Sequence, residues 1–372
     1  MDLHSRLDPV VMVASQSARS VDAEGRYPVE AVDALRESGL LGLSLPEEVG
    51  GLGGGPNDVV AALTGLASAC GSTAMVYLMH LAAAMTVAAA PPPALPDLLS
   101  SMASGRRLGT LAFSEAGSRS HFWAPVSKAV RHEGGNIRLE APKSWVTSAG
   151  LADVYVVSTG SADGDGIDMF AVTAETGGWA VTGGWHGMGL RGNASNPMKF
   201  DLEMPEGHRL GEPGSGFDLM LTAVLPWFNL GNASVSVGLG QGAVSAAVRH
   251  TSAAQLVHLD QSLSALPTIR AQLARMSIQL AATRAYVEFV ATSIAEPGDD
   301  TVLHVLSVKA AANDAVLGVT DSAMRVCGGA AFSDHLQVDR YFRDARAGHV
   351  MAPTADVLYD LYGRAITGQP LF

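Results

Sequence analysis

The chain is poor in cysteine, in charge and in aromatic residues. Only Cys70 and Cys327 occur in 372 residues, each in a small apolar context (ASACGST and MRVCGGA). Two distant thiols make neither a disulfide framework nor a metal-ligand spacing, so no metal is expected. Buried free thiols in a reducing, cytoplasmic setting are expected instead. Charged residues make up 16%, and 36 acidic against 24 basic residues give a formal net charge of −12. A nucleic-acid groove needs clustered Lys and Arg, so nucleic acid is excluded as a partner. A small anionic ligand needs only a few local arginines and stays open. The start, MDLHSRLDPVV, has no basic segment leading into an apolar one, so no signal peptide is expected. The longest apolar stretch, Leu78 to Pro91, contains His80 and runs into three prolines. It reads as too short to span a bilayer, and no membrane is expected.

What the chain has is apolar residues, 48% of the total, in a length that allows two or three domains. Its texture changes twice. Residues 1–107 carry helical spacing: Val29, Val32, Leu35 and Leu40 fall near one face. The Gly50–Gly55 run reads as a linker, and Pro91-Pro92-Pro93 as a helix stop. Residues 108–212 switch to short alternating or apolar runs, such as Ile137-Arg-Leu-Glu, Val154-Tyr-Val-Val-Ser, Ile167-Asp-Met-Phe-Ala-Val and Met198-Lys-Phe-Asp-Leu. Gly, Asp and Ser clusters separate them, which predicts a small antiparallel β domain. Residues 213–372 return to long helices over Phe217–His250, Leu266–Ile294 and Leu303–Val326. A Pro297-Gly-Asp-Asp turn separates the last two.

One stretch imitates a dinucleotide fingerprint: Gly238-Leu-Gly240-Gln-Gly242-Ala243, with Asp260 further on. Beyond Asp260 the pattern is that of a long helix, not the second strand of a βαβ unit. Glycines that let helices approach closely explain the run better.

Other motifs occur in a telling order. Gly39-Leu-Leu-Gly-Leu-Ser-Leu-Pro-Glu-Glu-Val-Gly-Gly-Leu-Gly53 comes first. Leu111-Ala-Phe-Ser-Glu-Ala-Gly-Ser118, Lys143-Ser-Trp-Val-Thr-Ser-Ala149 and Gly187-Met-Gly-Leu-Arg-Gly-Asn193 come next. Then come Leu210-Gly-Glu-Pro-Gly-Ser-Gly-Phe217 and Arg325-Val-Cys-Gly-Gly-Ala-Ala-Phe332, and lastly Arg343-Asp-Ala-Arg346. Together they resemble the acyl-CoA dehydrogenase superfamily along nearly the whole chain. The resemblance implies an α+β fold, mainly α: an N-terminal α-helical domain, a middle antiparallel β domain and a C-terminal four-helix bundle. It implies FAD as cofactor, an acyl thioester on CoA or a carrier protein as substrate, and a homodimer or homotetramer. Trp145 and Thr147 would lie against the isoalloxazine ring, with Phe113 and Ser114 on its polar edge. Arg325, Gly328, Gly329 and Thr354 would serve the rest of the cofactor. A helix C-cap explains the glycine pair as well, and both roles can hold together. Ser118 and Phe228 would line the substrate.

Two departures stand out. The family's R-x-x-F-G is missing from the stretch His250 to Asp260, so one cross-subunit flavin contact is expected to be absent. The family's Y-E-G-T, whose Glu takes the substrate's α-proton in many members, reads Met351-Ala352-Pro353-Thr354. The alternative place for that Glu, Leu225 to Gly231, holds no carboxylate either. Ala352 cannot act as a base. His349, three residues before it, and Asp356, four after, are the nearest candidates in sequence. Three readings stay open: dehydrogenation of an acyl thioester with a relocated base, a flavin-dependent monooxygenation that needs no base there, or a non-redox acyl-binding or cyclising role.

Overall fold

In the computed structural model, which describes residues 2–372, the first hundred residues are helical. Helix α1 (Leu3–Glu24) buries Leu3, Leu7, Val10, Ala14, Ala18 and Val21, a stripe at helical spacing. The Asp2 carboxylate caps its start, and Gly25, at φ 64°, ends it. Helices α2 (Val29–Glu37), α3 (Pro56–Ala69), α4 (Gly71–Ala89) and α5 (Leu98–Ala103) come after it. The 19-residue α4 is long and apolar enough to cross a membrane, contrary to the reading of its sequence. Its place explains the composition: 83% of its apolar window is buried inside the fold. His80 on α4 is wholly buried. Its Nδ1 accepts from Gly109 N–H at 2.9 Å, so Nε2 carries the proton it gives to the Leu41 carbonyl, also at 2.9 Å. Burial, opposed by the Leu41 bond, holds the ring neutral by pushing its pKa down to about 4.

The middle region is two facing sheets. Strands β1 (Gly109–Ala112), β4 (Val154–Gly160) and β5 (Ile167–Thr173) form one in the order β1-β4-β5. Strands β2 (Val130–Arg131), β3 (Asn136–Val146), β7 (Asn196–Pro205) and β6 (Trp179–Val181) form the other in the order β2-β3-β7-β6. Tyr155, Val157, Phe170 and Val172 meet Ile137, Leu139, Phe200 and Leu202 between them. Val154, Val156, Met169 and Ala171, on the opposite face of the first sheet, join the main helical core. Burial on both faces is why β4 and β5 read as continuous apolar runs while β3 alternates. One pair departs from the antiparallel expectation: β1 runs parallel to β4.

Beyond the sheets, α6 (Gly216–Leu219) passes through a π-helical turn, Met220–Val224, into α7 (Leu225–Ala253). Pro226 lacks an N–H for the ordinary ladder, and the wider turn stands immediately before it. A hairpin of β8 (Gln255–Leu256) and β9 (Gln261–Ser262) leads to α8 (Pro267–Ala295), α9 (Thr301–Cys327), α10 (Val338–Val350) and α11 (Ala355–Ile366). Helices α7 to α10 form the bundle, and α11 lies on α9. The would-be nucleotide fingerprint lies inside α7, where its glycines permit close packing. A Cβ on Gly238 would stand 2.4 Å from the Thr64 carbonyl oxygen on α3, and one on Gly242 would stand 2.4 Å from the Tyr341 ring. The stretches Met220–Leu225 and Val305–Val316, apolar enough to suggest a subunit interface, are instead mostly buried within this chain. Exposed apolar side chains of the bundle include Ile278 and Phe289 on α8.

The three regions meet at α10. Arg343 pairs with Asp22 of α1 at 2.5 Å and with Asp339 at 2.8 Å, and donates to the Met188 carbonyl at 3.1 Å. Asp344 accepts Leu190 N–H at 2.6 Å. A Cβ on Gly189 would collide with the Arg343 carbonyl at 2.5 Å, so only glycine lets this loop reach the helix. Burial pushes the Asp344 carboxyl up to about 6, against the opposing pull of the Leu190 N–H and of Arg340.

This packing has two measurable consequences. Gly238→Val should overpack the α3–α7 crossing and cost about 1–3 kcal/mol, read as a lowered urea midpoint; an unchanged midpoint would contradict the crossing. The folded Asp344 holds its proton up to about pH 6, whereas an unfolded carboxyl releases it near about 3.9. Its stabilising contribution is therefore complete below the lower value and lost as pH rises through the upper one. The stability difference between the native chain and Asp344→Asn should shift against the native chain from pH 4 to pH 7. Parallel stability–pH curves would refute the assignment.

Candidate active site

A buried ion pair organises the site. Lys143 Nζ lies 2.6 Å from Glu115 Oε1, and neither side chain is appreciably exposed. The ammonium also donates to the Ser158 carbonyl at 2.5 Å and the Phe113 carbonyl at 3.4 Å. The other carboxylate oxygen of Glu115 accepts Val126 N–H at 2.7 Å and Ser127 N–H at 2.8 Å. Burial pulls the Lys143 amine down to about 8 against the opposing effect of Glu115. Burial also resists ionisation of Glu115, but Lys143 and Ser127 outweigh it and hold the carboxyl below its ordinary value. The pair is thus an ion pair that ties the end of β1, the loop after it and β3 together.

Strand β3 carries one extra residue against β7 between Lys143 and Val146. Without that bulge Lys143 and Trp145 would share a face of the strand. With it, Lys143 turns inward and Trp145 outward, where it is 61% exposed. Trp185 meets Trp145 edge to face at 5.7 Å. Thr147 is buried, its hydroxyl 3.0 Å from that of Ser195. The Ser114 carbonyl accepts Ser144 N–H at 2.8 Å, which puts Phe113 and Ser114 beside this strand. The structure therefore brings Phe113, Ser114, Trp145 and Thr147 together. An exposed aromatic wall beside strand-end hydroxyls suits a flat ring system. Both side-chain amide atoms of Asn193, buried in the adjoining loop, lack a hydrogen-bond partner among the described residues. These residues fit a flavin.

The remaining expected residues stand elsewhere. Arg325, Gly328 and Gly329 are exposed at the end of α9, and among the described residues nothing beyond their chain neighbours lies within 4 Å of a Cβ built on either glycine. That openness suits a contact supplied by a ligand or a second subunit. Thr354 is the N-cap residue of α11, without a side-chain capping bond. Ser118 is buried and donates to the Glu115 carbonyl at 3.3 Å. Phe228 is buried one turn before Asn232 on α7. Asn232 Nδ2 reaches the Met351 sulfur at 3.7 Å, so that helix face looks toward the Ala352 loop.

Neither candidate base is linked to Ala352. His349 Nδ1 lies 3.2 Å from Asp314 Oδ1, and Asp314 also accepts the Tyr359 hydroxyl at 2.5 Å. Asp356 is exposed in the first turn of α11. The group beside the slot is one that sequence reasoning passed over. Lys309 on α9 is fully buried and donates to the Met351 carbonyl at 2.9 Å and the Pro353 carbonyl at 2.6 Å, the two flanking Ala352. Burial alone pushes its amine down to about 7. A lone lysine in the apolar run Val308-Lys-Ala-Ala-Ala was its signal.

The comparisons with known proteins agree with this architecture. The acyl-CoA dehydrogenase N-terminal, middle and C-terminal domain families match residues 12–106, 110–202 and 214–367. The short-chain specific acyl-CoA dehydrogenase of Homo sapiens mitochondria is 28% identical over 91% of this chain and 83% of its own length. Butyryl-CoA dehydrogenase from Megasphaera elsdenii superposes with a TM-score of 0.91 at 23% identity, covering 99% of this chain and 98% of its own. The prolyl acyl carrier protein oxidase AnaB superposes at 0.88 and 19% identity, covering 98% and 99%. At those identities the two superpositions establish the shared fold. With all three domains matched in order, the chain belongs to the acyl-CoA dehydrogenase superfamily, as an enzyme whose cofactor is a flavin, typically FAD.

Proposed function

We propose that the protein is an FAD-dependent oxidoreductase that takes an acyl thioester and works without a carboxylate at the family's base position. The observation that carries this reading is the loop around Ala352. Lys309 clamps the carbonyls on both sides of that residue, and Asn232 touches Met351. The slot is thus held in place while the side chain within it is a methyl group. A flavin, when bound, supplies hydride acceptance. The chain's own part is to hold the reactants. Trp145 and Trp185 present an apolar wall that keeps water from the ring, and Thr147 and Ser195 offer hydroxyls at the strand end. Lys309 fixes the backbone where the substrate's α-carbon would lie. The absence of a carboxylate also favours a second reading, in which reduced flavin and oxygen oxygenate the substrate without α-proton removal.

The same reading includes a homo-oligomer. The exposed face of α8 and the open ground around Gly328 and Gly329 support it. The thioester is carried by CoA or by a carrier protein. Two buried free cysteines support a cytoplasmic location.

Two experiments test the proposal. Purified protein should bind FAD, and Trp145→Ala should weaken binding by the loss of an exposed aromatic wall that the flavin would cover, about 1.5–3 kcal/mol, in a fluorescence titration. A chain that stays colourless at high FAD would end the redox readings. Loss of a positioned base typically slows a reaction about 10²–10⁴-fold, so straight-chain acyl-CoAs should reduce the flavin very slowly. Ala352→Glu should then gain anaerobic bleaching with a saturated acyl-CoA. Brisk bleaching by the unaltered protein would show that another group is the base.

A further inference from the structure

A cavity of about 620 Å³ opens among α1, α3, α7 and the segment leading into α10. None of the residues assigned to the flavin or to the thioester lines it. Its floor is one stripe of α7, where Gly242, Ala246 and Ala253 recur at helical spacing and offer almost no side chain. The Tyr341 ring closes one wall, and its hydroxyl donates to the Ser68 carbonyl at 2.6 Å, which ties α10 to the end of α3.

The charged groups around this floor are of one sign. Arg249 and His250 come from α7 and His335 from the segment before α10, and no carboxylate stands among the lining residues, in a chain whose net charge is −12. The neighbouring acids are engaged elsewhere, Asp334 with Arg19 at 3.2 Å and Asp339 with Arg343 at 2.8 Å, while among the described residues no ion pair or side-chain hydrogen bond engages Arg249. Gln337, which lines the cavity, is the N-cap of the 13-residue α10 and makes no side-chain cap, so the first N–H groups of that helix have no helical acceptor. Arg340 is only 4% exposed, and its Nη2 donates to the carbonyl of Ala69, a lining residue, at 2.9 Å. Its Nε and Nη1 lack a partner among the described residues. The carboxyl that acts on it, Asp344, is engaged by Leu190 N–H.

Such a concavity selects an anion. A guanidinium fork matches phosphate oxygens, an imidazole donates an N–H in either protonation state, and the start of a helix favours negative charge. The volume lies in the range of small organic ligands and exceeds what a bare phosphate fills. We infer that this cavity binds a small organic phosphate, with the phosphoryl group at Arg249, His250 and His335 and the body of the molecule along Gly242, Ala246 and Ala253. The inference goes beyond the thioester reading and does not depend on it. An occupant would link α7 to the start of α10, the helix on which Arg343 and Asp344 join the three regions.

The experiment is calorimetry on the full chain, as purified and after flavin loading, with inorganic phosphate, ribose 5-phosphate and AMP as probes. Both organic phosphates should bind saturably, one per chain, and more tightly than inorganic phosphate. AMP should bind most tightly, because its flat base covers the floor, and should raise the melting temperature. Arg249→Gln should weaken AMP binding about ten-fold. Ser245→Trp, which adds bulk at an exposed position in the middle of the stripe, should exclude the organic phosphates and spare inorganic phosphate. Arg284→Gln, on α8, should change nothing. No saturable binding at millimolar AMP would overturn the inference. Equal affinity for the three probes, or equal weakening by Arg284→Gln, would show an adventitious ion only and overturn it as well. AMP binding that disappears on flavin loading would assign the phosphate to the flavin's own site and not to this cavity. Arg249→Gln that lowers stability but leaves AMP binding intact would show that the side chain serves only the negative end of α7, and the inference would fall. Flavin content is read separately from absorbance, so a failure of the flavin reading leaves this test standing.

Discussion

The site depends on one ammonium group taken out of water. Lys143 has no exposed surface on its side chain, and a charge so placed is tolerated only with a partner and full hydrogen bonding. Glu115 supplies the partner, and the Ser158 and Phe113 carbonyls supply the rest. Phe113 and Glu115 lie just after β1 and Ser158 on β4, so satisfying the ammonium of β3 fixes these segments relative to one another. Because Lys143 points inward, the bulged strand must turn Trp145 outward. The exposure of Trp145 is therefore a consequence of where a buried charge had to go.

A second buried lysine repeats the logic with a different outcome. Lys309 has carbonyl partners and, among the described residues, no carboxylate paired with it, and burial lowers its pKa to about 7. It ties α9 to the loop holding Ala352, while Asn232 approaches the same loop from α7. The slot is thus held from two helices of the bundle, and the wall at Trp145 belongs to the β region. Arg343 and Asp344 on α10 join those regions through Asp22, Met188 and Leu190. Arg325, Gly328 and Gly329, which the resemblance assigns to the far end of the cofactor, are exposed at the end of α9.

Much of this was legible in the chain. Helical spacing, the switch to short alternating runs and the return to long helices mark the three regions. The contrast between the alternating β3 and the uniformly apolar β4 and β5 arises from burial on one face or two. The glycines of α7 were legible as packing residues because no second strand came after them. Less legible was the direction of individual side chains. His349 is close to Ala352 in sequence, yet its ring turns to Asp314; Lys309 is far in sequence, yet its amine reaches both flanking carbonyls.

Periodicity, turn residues and motif order are local properties, and from them the sequence by itself determined the element order, the family and the absence of a carboxylate at position 352. Bulge direction, the satisfaction of a buried ammonium and the meeting of distant aromatics depend on what packs against each segment. These were decided only by the tertiary structure, which turned Trp145 outward, set Lys309 beside Ala352 and brought Trp185 to Trp145. A local pattern can say which face of an element is buried, but not which distant group will be found there, because that depends on how all the buried faces are satisfied at once.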